Sequence, residues 1–169
     1  MLNGYVYYST NQPLNYSTTM EISFYHLTTT PLEKAVPALL ERAYDAGMRA
    51  HLLCEPQAKK VFDGALWTYH PRKFLPHGTD DDAKISPSRQ PIVISAEQKN
   101  LNKAKVLAVT NGMQIDDFGK FERVLDVFDG NVDADLAAAR KRWKAYKDAG
   151  HTLRYWSQDE KGKWVEKTA

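Results

Sequence analysis

Apolar residues in this chain occur in two patterns: short continuous runs, and longer segments in which they recur every three or four positions. Two of the runs, Pro91–Ser95 and Lys105–Thr110, lack strict alternation, which is typical of strands covered on both faces. The predicted strands are Ile22–Leu27, Ala50–Cys54, Pro91–Ser95, Lys105–Thr110, Glu122–Phe128, Thr152–Gln158 and Lys163–Glu166. The first predicted helix begins after Thr30. The other predicted helices are Gln57–Leu66, Asp116–Lys120 (one turn) and Ala134–Ala149. This alternation predicts a single three-layer α/β domain with a mostly parallel sheet and right-handed crossovers.

The first helix has recognisable start and stop signals. Thr30 can cap it, Pro31 suits the first turn, and Glu33 can reach back to complete a capping box. Pro37 lies inside the helical pattern and predicts a kink or a locally opened turn. Gly47 stands where a helix C-cap residue belongs.

A long irregular segment is predicted at Trp67–Arg89, because prolines, glycine and an acidic run interrupt any periodic pattern. Loops of this length in compact domains are usually functional or disordered. Leu66 and Leu75, which border this aromatic-rich stretch, are predicted to be core residues. For Trp67 and Phe74 the composition leaves core packing and a partner interface equally open.

The two ends of the chain differ in character. Met1–Thr19 contains no charged residue and is predicted to be a loosely held tail, so the domain is expected to span residues 20–169. A partner-binding arm is the alternative for this tail, since it carries four tyrosines: Tyr5, Tyr7, Tyr8 and Tyr16. At the other end, Asp159–Gly162 is predicted to form a hairpin turn between two strands.

Composition limits the class of protein. The chain has 169 residues, a formal net charge of +2 and one cysteine, Cys54, so it fits one domain without a disulfide framework. It shows neither a signal-peptide pattern nor an apolar run long enough to span a membrane, and we expect a cytoplasmic protein. A protein that relies on phosphate contacts usually has a larger basic excess.

The chain lacks a phosphate cradle at the expected place. Such cradles need glycine between the first strand and its helix, and this junction reads Leu27-Thr28-Thr29-Thr30-Pro31. Pro31 also removes a backbone donor. The sequence therefore argues against a dinucleotide or P-loop cofactor.

Two further enzyme signals are weak. Cys54 ends a strand and His26 could lie on a neighbouring strand, which leaves a hydrolase or nucleotide-handling enzyme as an alternative. His70 and His77 with Asp80–Asp82 lack the spacing that fixes metal ligands. We predict no catalytic residue, no cofactor and no metal, with Cys54 a small core residue.

The last predicted helix separates an apolar sector from a cationic one. The apolar sector contains Leu136, Ala139, Trp143 and Tyr146. The adjoining sector carries Arg140, Lys144 and Lys147. An apolar notch rimmed by cations suits an acidic peptide with an apolar last residue and a free carboxylate. Two alternatives remain open: a solvated helix face, and a single-stranded nucleic-acid binder that stacks bases on Trp143.

An ordered set of short motifs resembles a known family. The motifs are Phe24-Tyr25-His26-Leu27, Leu53-Cys54-Glu55, Ala65-Leu66-Trp67, Phe74-Leu75-Pro76-His77-Gly78 and the helix from Arg140 to Gly150. From Met20 onward the chain resembles the chi subunit of bacterial DNA polymerase III holoenzyme. The resemblance implies a non-catalytic Rossmann-like accessory domain of the clamp-loader assembly, within a holoenzyme that is a DNA-directed DNA polymerase.

The resemblance also implies partners and residues. It implies binding to the acidic C-terminal tail of single-stranded DNA-binding protein and, on a separate surface, to the psi subunit, with DNA contacted mainly indirectly. A helicase-like protein is the alternative occupant of the second surface. The residues implied for that second surface are Trp67, Phe74 and Pro76. The residues implied for tail binding are Phe128, Arg140, Trp143, Lys144 and Lys147.

This chain departs from the family pattern at several points, which include a one-residue insertion after Phe128 and the tail before Met20. Trp143 stands where the pattern has a tyrosine, and Leu136 replaces a lysine, so the pocket is expected to be less basic. The hairpin after Tyr155 extends beyond the family's minimal form.

Overall fold

The computed structural model describes residues 19–115 and 117–168. In this part of the chain, eight strands and three α-helices follow one another in an α/β order. The strands are β1 (Glu21–Leu27), β2 (Ala50–Leu53), β3 (His77–Thr79), β4 (Ile92–Ser95), β5 (Val106–Thr110), β6 (Arg123–Asp129), β7 (Thr152–Gln158) and β8 (Trp164–Lys167). The helices are α1 (Leu32–Asp45), α2 (Lys59–Thr68) and α3 (Asp133–Asp148). Short 3₁₀ turns occupy Pro56–Ala58 and Pro87–Arg89.

The strands form one sheet in the order β3-β4-β2-β5-β6-β1-β7-β8. Every neighbouring pair is parallel except β7 and β8, which form the antiparallel C-terminal hairpin. The mostly parallel sheet and the hairpin extension are thereby confirmed. A parallel sheet needs cover on both faces, which explains the continuous apolar runs in its central strands.

Helices cover the two faces of the sheet separately. Side chains of α1 and α2 pack in one apolar cluster with Leu52, Ile94 and Ala108. On the opposite face, α3 packs against a second cluster that includes Phe24 and Phe128. The domain is therefore three-layered, as the sequence predicts.

The ends of α1 agree only in part with the prediction. Pro31 is the N-cap residue and no side chain caps the helix, so the predicted capping box is wrong. Thr30 Oγ1 instead accepts a hydrogen bond from Gln158 Nε2 at 2.9 Å. Pro37 is buried inside α1, which is continuous. Gly47, with φ of +73°, follows the helix in the left-handed conformation that favours glycine.

Two local predictions are wrong. Residues 117–120 form no helical turn, because Asp117 Oδ1 accepts the backbone N–H of Gly119 at 2.7 Å and so favours a side-chain-closed turn. The segment predicted as irregular contains β3, which pairs with β4. Residues 1–18 of the predicted Met1–Thr19 tail, like Asp116, lie outside the described residues. None of the described helices is both long and apolar enough to cross a membrane.

Candidate functional site

A recess of about 310 Å³ opens between α3, the end of β6 and the C-terminal hairpin. We call it the α3 recess. Its lining residues are Phe128, Leu136, Ala139, Arg140, Trp143, Tyr155, Lys167 and Thr168. The four α3 residues recur at spacings of three, one and three, which places them on one side of the helix. The recess thus has apolar walls with cationic residues among them.

Aromatic packing holds the walls of the α3 recess in place. Trp143 packs edge-to-face with Phe24, at 5.2 Å between ring centroids, and with Tyr155, at 5.7 Å. Phe128 stacks on His26 at 5.2 Å, and the Tyr155 hydroxyl is hydrogen-bonded to His26 Nδ1 at 2.8 Å. These contacts leave the rings little freedom, so the recess keeps its shape.

Gly130 allows His26 to take its position behind Phe128. A Cβ atom at Gly130 would overlap the His26 ring and would also lie 2.9 Å from the Leu27 carbonyl oxygen. Any side chain at residue 130 would therefore displace the His26 ring from its contacts with Phe128 and Tyr155. The glycine is required by this close approach.

Arg140 supplies positive charge at the α3 recess. Among the described residues it forms no ion pair, and it is exposed. Burial lowers the pKa of His26 and the Arg140 charge lowers it further, against the opposing effect of Asp129. Burial raises the pKa of Tyr155, which Arg140 opposes. The Arg140 guanidinium is therefore available to a ligand anion.

The two lysines implied for tail binding lie elsewhere on α3. Lys144 is ion-paired with Asp148 at 2.6 Å on the exposed side of the helix, and this bond raises the pKa of Lys144. Lys147 is exposed, two turns beyond Arg140. Neither residue lines the α3 recess.

A buried ion pair attaches α3 to the sheet. Arg142 Nε and Nη2 donate to the two carboxylate oxygens of Asp126, at 2.7 and 2.8 Å. The Asp126 side chain is 1% exposed, and burial raises its pKa against the opposing effect of Arg142. Ala139 is the one fully buried residue of α3, and Leu136, Trp143 and Tyr146 pack partly buried against the same cluster, so the ion pair adds a polar contact to an apolar attachment.

The sequence did not single out the hairpin side of the α3 recess. Tyr155 belongs to β7, Lys167 ends β8 and Thr168 follows it, and sheet pairing places Lys167 opposite Tyr155. The predicted Asp159–Gly162 turn does not give this register, because counting outward from it pairs Tyr155 with Glu166, one residue short of Lys167.

A second surface lies at the end of α2. Trp67 is 57% exposed and Phe74 is 61% exposed, with 5.3 Å between their ring centroids. Pro76 is half-buried beside them, while Leu66 and Leu75 are buried as predicted. We call Trp67, Phe74 and Pro76 the α2 surface. Two large aromatic rings left in solvent are typical of a docking surface.

The arrangement that the enzyme alternative needs is not formed. Strands β5 and β6 separate β2 from β1, so Cys54 and His26 lie about 14 Å apart across the sheet and are not on neighbouring strands. They also pack in clusters on opposite faces. Cys54 is fully buried, and burial raises its pKa to about 12, far from the range of a reactive thiolate.

A phosphate cradle before α1 and a metal site at the histidines are not formed either. Backbone N–H groups of Thr28, Thr29 and Thr30 all donate to Gln158 Oε1, at 3.1–3.3 Å, where a phosphate cradle would have its anion. His77 Nδ1 is bonded to the Leu75 carbonyl oxygen at 2.6 Å. The described residues contain no cluster of three or more side chains suited to a metal ion.

The chain is similar to a known family and to a named relative. The family model described as "DNA polymerase III chi subunit, HolC" matches residues 20–154. A protein of Rickettsia prowazekii (strain Madrid E), described as "Probable DNA polymerase III subunit chi", is 29% identical over 109 residues. That match covers 64% of this chain and 65% of the relative, so the chain spans a little under two thirds of the relative's length.

Proposed function

The chain belongs to the DNA polymerase III chi subunit family, a family of replication accessory subunits, and on this premise we propose that it links two parts of the replication machinery. In this proposal the α3 recess binds the acidic C-terminal tail of single-stranded DNA-binding protein. The α2 surface binds the clamp-loader side, through a psi subunit or a helicase-like protein. The chain then acts in the cytoplasm as a non-catalytic tether.

The observation that carries the proposal is the chemistry of the α3 recess. Its apolar walls, formed by Phe128, Leu136 and Trp143, can take an apolar terminal side chain. Arg140 stands beside them without an ion pair among the described residues, and its planar guanidinium can bind a carboxylate through two hydrogen bonds. An acidic peptide with an apolar last residue satisfies both features.

Two separate surfaces suit a tether. The α3 recess lies on the α3 face of the sheet, whereas Trp67 belongs to α2 on the other face. A protein that binds one partner on each face joins them without competition, and even modest affinities then combine through effective concentration.

Direct binding of single-stranded nucleic acid has less support. Such proteins stack bases on free aromatic faces. Trp143 is already packed against Phe24 and Tyr155, and Lys144 is paired with Asp148. Tight binding of a bare oligonucleotide would nevertheless favour this alternative.

Arg140→Ala tests the tail-binding site. We expect it to weaken binding of a short peptide with several aspartates and a C-terminal Phe by about 1.5–3 kcal/mol, as for loss of a charged hydrogen bond. Isothermal titration calorimetry of the full chain measures this. Lys141→Ala is the matched control, since Lys141 is exposed on the same helix but does not line the recess. Unchanged affinity in Arg140→Ala would remove Arg140 from the site.

Trp67→Ala tests the α2 surface. We expect it to abolish co-purification with a psi-like or helicase-like partner and to leave peptide binding intact, because Trp67 is exposed and on the opposite face. Loss of both functions together would mean that Trp67 instead supports the core.

A further inference from the structure

The C-terminal hairpin forms one side of the α3 recess. Lys167 and Thr168, at the end of β8, line it together with residues of α3. The family model stops at residue 154, within β7, so β8 lies outside the matched region.

Strand register explains why Lys167 reaches the α3 recess. Asp126, Phe24, Tyr155 and Lys167 are successive partners across β6, β1, β7 and β8. Directly paired residues project from the same face of a sheet, about 5 Å apart at Cβ. Phe24 and Tyr155 pack against Trp143 of α3, so Lys167 belongs to the α3 face as well.

Two side chains, Gln158 and Arg154, hold the hairpin in place. The Gln158 side chain accepts three backbone N–H groups at the start of α1 and donates to Thr30 and to the Gly162 carbonyl oxygen. Arg154 Nε and Nη2 join β7 to β8 by donating to both oxygens of Glu166, at 2.6 and 2.9 Å. The backbone of Lys167, the residue after Glu166, is thereby held in register opposite Tyr155.

The α3 recess consequently has a cation on each side. Arg140 comes from α3 and Lys167 from β8, and neither forms an ion pair among the described residues. Leu136 contributes no charge to the lining between them. Two cations on opposite sides can bind two anionic groups of one peptide, a terminal carboxylate and an acidic side chain further back.

We infer that Lys167 binds an acidic side chain upstream of the terminal carboxylate in the peptide that occupies the α3 recess. This inference rests on the proposed function, because it assumes that an acidic peptide binds there. It makes the hairpin a specificity element: the recess distinguishes an acidic tail from a neutral one through Lys167, and recognises the chain terminus through Arg140.

The test is a double-mutant cycle on the full chain. The protein variants are Lys167→Ala and, as the control, Lys163→Ala, which removes an exposed lysine from the same hairpin but away from the recess. The probes are an aspartate-rich peptide ending in Phe and versions with each Asp replaced in turn by Asn. We expect Lys167→Ala to weaken binding about 3- to 10-fold, between the effects of a solvated ion pair and of a charged hydrogen bond. Lys163→Ala should change affinity less than about 2-fold.

The cycle also identifies the group that Lys167 contacts. One Asp→Asn change should weaken binding to the wild-type chain but have almost no effect on Lys167→Ala, which is the signature of a direct pair. If Lys167→Ala behaves like Lys163→Ala while Arg140→Ala still loses affinity, the hairpin inference is wrong and the proposed function stands. If the wild-type chain binds no peptide, both are wrong. Equal melting temperatures for the lysine variants and the wild type establish that the fold is intact.

Discussion

The buried ion pair between Asp126 and Arg142 should be the most sensitive point in the attachment of α3. Arg142→Ala would leave the Asp126 carboxylate, 1% exposed, without its two hydrogen bonds. Removing one partner of a buried pair typically costs about 3–5 kcal/mol, because the remaining charge is neither solvated nor paired. For a domain of this size that loss corresponds to a fall in melting temperature of about 6–20 °C.

The pH dependence of this loss has a definite sign. Burial already raises the folded-state pKa of Asp126, and removal of Arg142 takes away the group that lowers it. A carboxyl whose folded-state pKa lies above its unfolded value favours folding at low pH and opposes it once the pH exceeds both values. The penalty of Arg142→Ala should therefore be larger at pH 8 than at pH 5.

Urea unfolding at the two pH values measures both effects. Arg154→Ala is the matched control, since Arg154 and Glu166 form the same kind of two-bond ion pair with both side chains 41% exposed. Solvent screens these charges, so Arg154→Ala should lower the free energy of unfolding much less than Arg142→Ala does. The pair Asp126→Leu with Arg142→Met should recover most of the stability, because Asp126 lies between the buried Val109 and Phe24. An Arg142→Ala variant as stable as wild type, or one less stable in acid than at pH 8, would refute this reasoning.

Two other predictions concern the core. Cys54 should resist alkylation in the native chain at pH 8 and react only as fast as the chain unfolds, because it is buried and burial raises its pKa to about 12. Rapid stoichiometric labelling of the folded chain would reopen the enzyme alternative. Burial lowers the pKa of His26, His51 and His151 below the ordinary value of 6.5. Near pH 6.5 the unfolded chain therefore binds more protons than the folded chain, and the stability of the fold should decline as the pH falls through 6.5. Melting temperatures that stay constant from pH 7.5 to 5.5 would contradict that expectation.

The central strands were predictable because burial on both faces demands continuous apolar residues. Predicted Lys105–Thr110 and observed Val106–Thr110 differ by one residue, as do predicted Ala134–Ala149 and observed Asp133–Asp148. β3 was not predictable, since His77-Gly78-Thr79 has no apolar pattern and becomes a strand only by pairing with β4 at the sheet edge. The capping box failed because a distant side chain, Gln158, binds the residues that precede α1.

The candidate site, like the fold, was predictable from the sequence only in part. Helical spacing placed Arg140 and Trp143 together, and the structure brings both to the α3 recess with Phe128. Lys144, four residues after Arg140, is rotated about 40° from Arg140 around the helix axis and forms an ion pair with Asp148. Helical spacing alone does not reveal this ion pair. Lys167 depends on strand order and hairpin register, which are properties of the folded sheet.

Occupation of the α3 recess by an acidic peptide can be observed directly through its tryptophan. The chain has four tryptophans, so a ¹⁵N-labelled sample gives up to four indole N–H signals, which single substitutions assign. Titration with an aspartate-rich peptide ending in Phe should shift the Trp143 indole signal in proportion to binding and leave the signal of Trp67, on the opposite face, unchanged. A peptide that shifts Trp67 instead, or that binds without moving Trp143, would contradict the account.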